Sequence, residues 1–418
     1  MKIAYETLGC KVNQYETESI RYELEKLGYE TADISEKFDL CIINTCIVTS
    51  VAEGKSRNII RKAKRNNQNA KIWVTGCYSH IKSEEMISML EIDKIFSNEE
   101  KISIANTVKK NFPIKDYTEN ITPKLRLRTR AFIKIQDGCD QFCSYCIIPY
   151  ARNLYYAKPV ADTIDEIKKL VDSQYKEIVL TGIRLGSYRQ NNLNLSHLIE
   201  KILEQTEIAR IRLSSIEMWE TDKDLINLFS NERIAKHLHI PLQSGNNKIL
   251  NLMNRPYKIE EYLELIENIR EKVPNIGITS DVIVGFPSET DFDFETSLSN
   301  IKKANFSRMH IFKYSKRQGT QGFFMENQID MEIKKKRFKE LSILGKELHE
   351  KFAKNQVGTK EKILIERKKS DGYFYGYTSN YLEVKISSNF SIEKNQIINS
   401  DIISYESDFL NAKPSVIV

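Results

Sequence analysis

The chain repeats one rhythm from its N-terminus: a short apolar run, a small or polar residue where the run stops, then apolar positions three and four apart. The runs KIAYET, FDLCIINT and AKIWVTG, separated by QYETESIRYELEKLG and SVAEGKSRNIIRKAKRNN, predict parallel strands joined by crossover helices. From about residue 126 to 325 the alternation continues. Its strand candidates are RAFIKIQ (130–136), KEIVLTG (176–182), RIRLSSI (210–216), HLHIPLQ (237–243), ITSDVIVGF (278–286) and SRMHIFKYS (307–315). VADTIDEIKKLVDSQ, IEEYLELIENIREKV and DFDFETSLSNIKKA read as helices between them. Six such units are too few to close an eight-stranded barrel, so an open, partial (β/α)6 barrel is expected, with its chemistry beyond the C-terminal strand ends. Residues 330–356 predict a long charged helix that packs through an Ile, Leu and Phe stripe. After Gly358 the pattern turns to alternation with Ser-Asp-Gly and Ser-Asn turns, the signature of a small β-barrel. The fold class is α/β in three domains: a parallel α/β domain over 1–115, the open barrel with its helix over 125–356, and an all-β barrel over 358–418.

Composition narrows the class. A chain of 418 residues, 41% hydrophobic and 29% charged, is that of a multidomain globular protein. No apolar run approaches the ~18–20 residues of a membrane span. MKIAYETLGCKVNQ becomes polar too soon for a signal peptide, so a cytoplasmic protein with no membrane partner is expected. The net charge of +6 permits a polyanionic partner without requiring one.

Seven cysteines, an odd number in a reducing compartment, argue against a disulfide framework. GCDQFCSYCIIPYAR (138–152) places Cys139, Cys143 and Cys146 in a C-x3-C-x2-C spacing. A structural zinc site is closed by four ligands. The next histidine after Cys146 is His197, too distant in sequence to complete a local set. A cubane iron–sulfur cluster held by three thiolates leaves one iron without a protein ligand, open to a substrate or cofactor. Cys10, Cys46 and Cys77 each follow an apolar run and lie 36 and 31 residues apart, about one βαβ unit each. Strand ends of such units share one sheet edge, which predicts that these thiols converge. A second three-thiolate cluster is the better reading of them. Cys41, five positions before Cys46, points to the opposite face and reads as core.

With Tyr145 as its aromatic, the 139–146 loop resembles the cluster loop of the radical SAM enzymes. That resemblance implies a 4Fe–4S cluster whose open iron takes S-adenosylmethionine. The strand-end residues Thr181, Gly182, Ser215, Glu217, Gln243, Ser244 and Gly285 resemble the superfamily's cofactor contacts, although each has an alternative reading as turn chemistry. VGFPSET is similar to a GFPGET motif but carries Ser288 where glycine is usual, a difference that matters if the backbone there needs positive φ. TLGCKVNQYET, INTCIVT and VTGCY resemble the N-terminal domain of the radical SAM methylthiotransferases, which implies a second 4Fe–4S cluster that supplies sulfur. The C-terminal barrel resembles a TRAM module, associated with tRNA binding.

The resemblance spans the chain. It implies radical insertion of sulfur at an unactivated C–H and methylation from S-adenosylmethionine, with an electron donor such as flavodoxin or ferredoxin. TLGCKVNQYETE, QDGCDQFCSYCIIPYAR and RLSSIE look most like the branch acting on N6-threonylcarbamoyladenosine in the tRNA anticodon stem-loop. The alternatives are the isopentenyladenosine branch, a branch modifying a ribosomal-protein aspartate, and a metal-stabilised RNA-binding protein without catalysis. NLYYAKP after Arg152 replaces the glycine and basic stretch usual in the family, so contacts of the Asn153–Lys158 loop would differ. Candidate RNA contacts are the helix RNIIRKAKRNN (57–67), the alternating Lys124, Arg126, Arg128 and Arg130, and Tyr373, Tyr375, Tyr377 and Tyr381. For the helix a solvated charged face, and for the tyrosines strand filling, are the competing readings. Lys334–Arg337 reads as a solvated helix face.

Overall fold

The structure, a computed structural model, describes residues 1–114, 129–387 and 391–415. Lys124, Arg126 and Arg128 lie outside the described residues. Two compact units make up the chain, the first holding residues 1–114, 137–155 and 315–323.

In this first unit, Lys2–Thr7 (β1), Glu30–Ala32 (β2), Leu40–Thr45 (β3), Lys71–Gly76 (β4) and Lys94–Ile95 (β5) form a parallel sheet in the order β2-β1-β3-β4-β5. All six residues of β3 are buried because both faces of the sheet are covered, which explains its unbroken apolar run. One face carries Ala4, Cys41, Ile43, Ile72 and Val74 against Ile60 and Ala63 of the helix Ser50–Asn66 (α2). The other carries Ile3, Leu40, Ile42 and Trp73 against Ile20 and Leu24 of the helix Lys11–Lys26 (α1). Cys41 is fully buried, as a core residue should be. Part of the basic face of α2 is paired: Arg57 with Glu53 at 2.8 Å, Arg61 with Glu91 at 3.7 Å and Lys64 with Asp93 at 3.7 Å.

The second unit holds the described residues of 127–136, 156–314 and 324–418. Arg130–Lys134 (β6), Glu177–Thr181 (β7), Arg210–Leu213 (β8), His237–His239 (β9), Gly277–Val284 (β10) and Arg308–Lys313 (β11) run parallel in sequence order. Bridges Ile211–Ile234 and Ser215–His239 join the two three-stranded ladders. Among the described residues β6 and β11 do not pair, so the six-stranded barrel is open, as the repeat count predicts. Ile278, Val282 and Val284 of β10 join the apolar core, while Thr279 and Asp281 on the other face meet His239.

Lys360–Lys368 (β12), Phe374–Tyr377 (β13), Glu383–Ile386 (β14), Ile397–Glu406 (β15) and Phe409–Pro414 (β16) close a barrel in the order β12-β13-β14-β16-β15. It docks where β6, β7 and β8 begin. Glu177 is fully buried and bonds Arg212 at 2.7 Å and Arg210 at 3.2 Å. Burial alone would raise its pKa, but the two guanidiniums hold it below the usual carboxylate range. Arg212 then donates to Ser379 O at 3.0 Å and lies 4.5 Å over the Tyr381 ring, and Arg210 donates to Lys362 O at 2.7 Å.

Three readings of surface chemistry change as a result. Arg130 is not a free RNA contact, since it pairs with Glu366 at 2.8 Å and covers the rings of Tyr377 and Tyr381. Tyr375 is buried beside Phe409, leaving Tyr373 the more exposed of the strand tyrosines, and Tyr381 packs on His237. The Lys334–Arg337 stretch is only partly solvated. Lys334 reaches Tyr314 O at 3.3 Å and Arg337 binds Glu289 and Asp291 at 2.7 Å each, because the helix Met331–Lys354 lays this face on the barrel.

Lys334 also explains Gly285. At φ +72° a Cβ there would lie 2.3 Å from Lys334 Cγ. Ser288 has φ +64°, the left-handed region that costs a non-glycine residue about 1–2 kcal/mol. Ser288→Gly is therefore expected to stabilise the protein by about 0.5–1 kcal/mol once the larger chain entropy of glycine is set against that strain. A urea-unfolding midpoint no higher than wild type would refute the strain.

Candidate functional site

The register of the first sheet sets Thr7 beside Asn44 and Thr45 beside Gly76, so the chain leaves β1, β3 and β4 at one edge. Cys10, Cys46 and Cys77 stand just beyond. Gly9, at φ +98°, lies so close that a Cβ on it would be 2.9 Å from Cys46 Sγ. Cys10 and Cys77 both act on the charge of Cys46. The structure thus brings Cys10, Cys46 and Cys77 to the same edge of the sheet.

Cys46 and Cys77 are buried and Cys10 keeps solvent access. Burial pushes the Cys46 thiol up to about 11, with Cys77 and Cys10 adding to the rise. The surrounding protein also raises Cys10, against the pull of Arg152. These are neutral thiols that a metal centre would deprotonate on binding. Among the described residues no three His, Cys, Asp or Glu side chains converge on a point that would hold one metal ion. A cubane cluster takes each thiolate on a different iron, and three neighbouring thiols are a donor set that fits it.

The second trio is in the same compact unit. Its loop closes on itself, with Cys139 N–H donating to Arg152 O at 3.1 Å and Cys146 N–H to Cys143 O at 2.9 Å. Gln141 N–H donates to Cys139 Sγ at 3.4 Å. Cys143 is buried, while Cys139, Tyr145 and Cys146 are half-buried. The short helix Ile148–Ala151 that follows sends Ala151, with Ile147 before it, into the core of the N-terminal sheet. Of the altered Asn153–Lys158 loop, Leu154, Tyr155 and Tyr156 are exposed.

Between the trios lies a polar cluster that sequence reasoning missed. Arg152, only 4% exposed, bonds both carboxylate oxygens of Glu16 at 2.8 Å and Asp137 at 2.7 Å. It also donates to Asn13 Oδ1 at 2.9 Å. Buried Lys101 pairs with Glu16 as well; its burial lowers its pKa against the pull of that carboxylate. Asn13 and Glu16 sit three apart on α1, and Arg152 ends the cysteine motif. Those spacings were the available signal.

In the second unit Thr181, Gly182, Ser215 and Glu217 follow or end β7 and β8, and Gln243, at φ +66°, bridges to Val282 of β10. These five stand at C-terminal strand ends. Ser244 instead bonds Ser297 at 3.2 Å, and Gly285 N–H donates to Glu289 at 2.7 Å. Glu217 is paired with Arg255. Glu220, also missed, pairs with Arg184.

Residues 133–301 match the radical SAM superfamily, and residues 2–97 match the uncharacterized protein family UPF0004. The threonylcarbamoyladenosine tRNA methylthiotransferase MtaB of Bacillus subtilis is 37% identical over 91% of this chain and 89% of its own length. The chain belongs to the radical SAM methylthiotransferase family. MtaB of Chlamydia pneumoniae is 38% identical over 86% of each chain. The tRNA-2-methylthio-N(6)-dimethylallyladenosine synthase of Thermodesulfovibrio yellowstonii is 34% identical over 95% of this chain and 94% of its own. Among solved structures, the radical S-adenosylmethionine methyltransferase TsrM of Kitasatospora setae superposes with a TM-score of 0.56 at 15% identity, covering 74% of this chain and 72% of that one, a likeness of fold. Methylthiotransferases of this family use S-adenosylmethionine and two 4Fe–4S clusters.

In this methylthiotransferase, burial lifts Glu220 to about 7, helped by Glu217 and opposed by Arg184. The unfolded carboxyl, near 4.5, loses its proton first as pH rises. Stability should therefore fall by roughly 3 kcal/mol between about pH 4.5 and 7 on account of this group and level off above. Glu220→Gln should lack that share of the decline in urea unfolding at pH 5 and pH 8. Equal declines in both proteins would count against the assignment.

Proposed function

We propose that this protein converts N6-threonylcarbamoyladenosine beside the tRNA anticodon to its 2-methylthio derivative. The observation that carries the reading is the near full-length identity to relatives named for that activity, in a chain that retains both cysteine trios. In this reading Cys139, Cys143 and Cys146 hold the cluster that takes S-adenosylmethionine, and Cys10, Cys46 and Cys77 hold the second. When bound, these groups supply the one-electron chemistry that opens an unactivated C–H, and the sulfur and methyl placed there.

The residues of the chain bind and orient. Three thiols per trio leave one cluster corner for a non-protein ligand. The strand-end residues Thr181, Gly182, Ser215, Glu217 and Gln243 position the cofactor, with Glu217 held in place by Arg255. Tyr145, in the cysteine loop, is a further candidate contact in this reading. Ser244 and Gly285 support that edge through Ser297 and Lys334. The partners are the tRNA anticodon stem-loop and a one-electron donor such as flavodoxin or ferredoxin. Among the described residues no helix is long and apolar enough to cross a membrane. In this reading a tRNA substrate implies a cytoplasmic enzyme. A second reading, the isopentenyladenosine substrate, is favoured by the 34% identity to a dimethylallyladenosine synthase.

The test is anaerobic reconstitution of wild type and of Cys10→Ala/Cys46→Ala/Cys77→Ala, with iron counting and mass spectrometry of tRNA nucleosides. About eight irons should fall to about four in the variant, with S-adenosylmethionine cleavage retained and methylthio product lost. Wild type holding one cluster, or zinc, would defeat the two-cluster reading. Methylthiolation of the isopentenyl nucleoside alone would transfer the assignment to the second substrate.

A further inference from the structure

Arg152 belongs by sequence to the loop of the 139–146 trio, yet its side chain is spent on the other one. Asn13 Oδ1, which accepts from its guanidinium at 2.9 Å, also accepts from Cys10 Sγ at 3.8 Å. The preceding residue makes the matching link. Asn98 Nδ2 donates to Ala151 O at 2.7 Å and to Cys77 Sγ at 3.9 Å. Two adjacent residues thus reach Cys77 and Cys10, each through a single asparagine. The guanidinium is 4% exposed, and its Nε–H, buried, has no acceptor among the described residues. Lys101 adds a second buried cation, and Glu16 and half-buried Asp137 balance the pair.

We propose that Arg152 is a positioning residue for the cluster of Cys10, Cys46 and Cys77, holding positive charge beside it and raising its reduction potential from within the loop of the other cluster. The inference rests on the assignment of those three cysteines as ligands made above. Reduction adds one negative charge to a cluster, and a buried cation is little screened, so charge and hydrogen bonds around the sulfurs are the protein's means of setting the potential. It follows that the loop binding one cluster cannot shift without altering the charge at the other.

The experiment uses the full chain carrying Cys139→Ala/Cys143→Ala/Cys146→Ala, so that the remaining iron belongs to the second trio. Its midpoint is followed by electron paramagnetic resonance in a redox titration, with iron counted in each sample. Adding Arg152→Gln should lower the ratio of reduced to oxidised cluster at the parent midpoint about tenfold, a shift of ~59 mV for a one-electron couple. Arg152→Lys should stay near the parent, and Glu16→Gln should shift the midpoint the opposite way. A purely structural role would change iron content without giving opposite signs. Unchanged or same-direction shifts with iron retained would overturn the proposal. Should Arg152→Gln lose its iron, the sign of the Glu16→Gln shift decides. A parent without any cluster would instead remove the ligand assignment, and this inference with it.

Discussion

A guanidinium buried in protein must be paired, and Arg152 meets that requirement only by drawing two distant parts of the chain together. Removing one partner of such a pair costs about 3–5 kcal/mol, because the other charge is left in a low-dielectric surrounding. Glu16 comes from the first helix and Asp137 from the base of the cysteine loop, so the pair fixes the loop on the N-terminal sheet. Ile147 and Ala151 add apolar burial to the same face. The loop of one cysteine trio is thereby tied to the helix that begins beside Cys10 of the other.

The C-terminal barrel is attached by similar means. Glu177 is at the start of a barrel strand, the end that in such folds serves stability. Its two arginines carry the connection on to backbone carbonyls at Lys362 and Ser379. A carboxylate shared by two guanidiniums, with their other donors satisfied by carbonyls, leaves little uncompensated charge in the junction. It also withdraws Arg130, Tyr377 and Tyr381 from the surface that a nucleic acid would meet.

Charge was accordingly the least reliable guide to exposure. The lysines and arginines of residues 334–337 look solvated in a helical sequence of that composition, yet Lys334 and Arg337 are buried where the helix turns toward Tyr314, Glu289 and Asp291. Long side chains carry an apolar stem that packs while the head finds a partner, so a basic run does not define a solvent face. Ser288 is the converse case. A left-handed backbone is retained by a residue poorly suited to it, because neighbours such as Asn327 O, which accepts its N–H at 3.0 Å, hold the turn.

What the sequence by itself determined was local. Strand and helix positions follow from apolar periodicity, which acts over a few residues, and the six-unit count made an open barrel the expected result. The placement of Cys10, Cys46 and Cys77 at one sheet edge was legible too, since parallel strands in βαβ units end on one edge whatever the details of packing. Cys41 as core followed from alternation along the same strand. Only the tertiary structure decided which charges meet. Arg152 pairs with a glutamate 136 positions away and Arg212 with a carbonyl 167 positions away. Nothing in the spacing of residues encodes such choices. Any arginine can pair with any carboxylate, and burial, which depends on the whole packed chain, selects the partner.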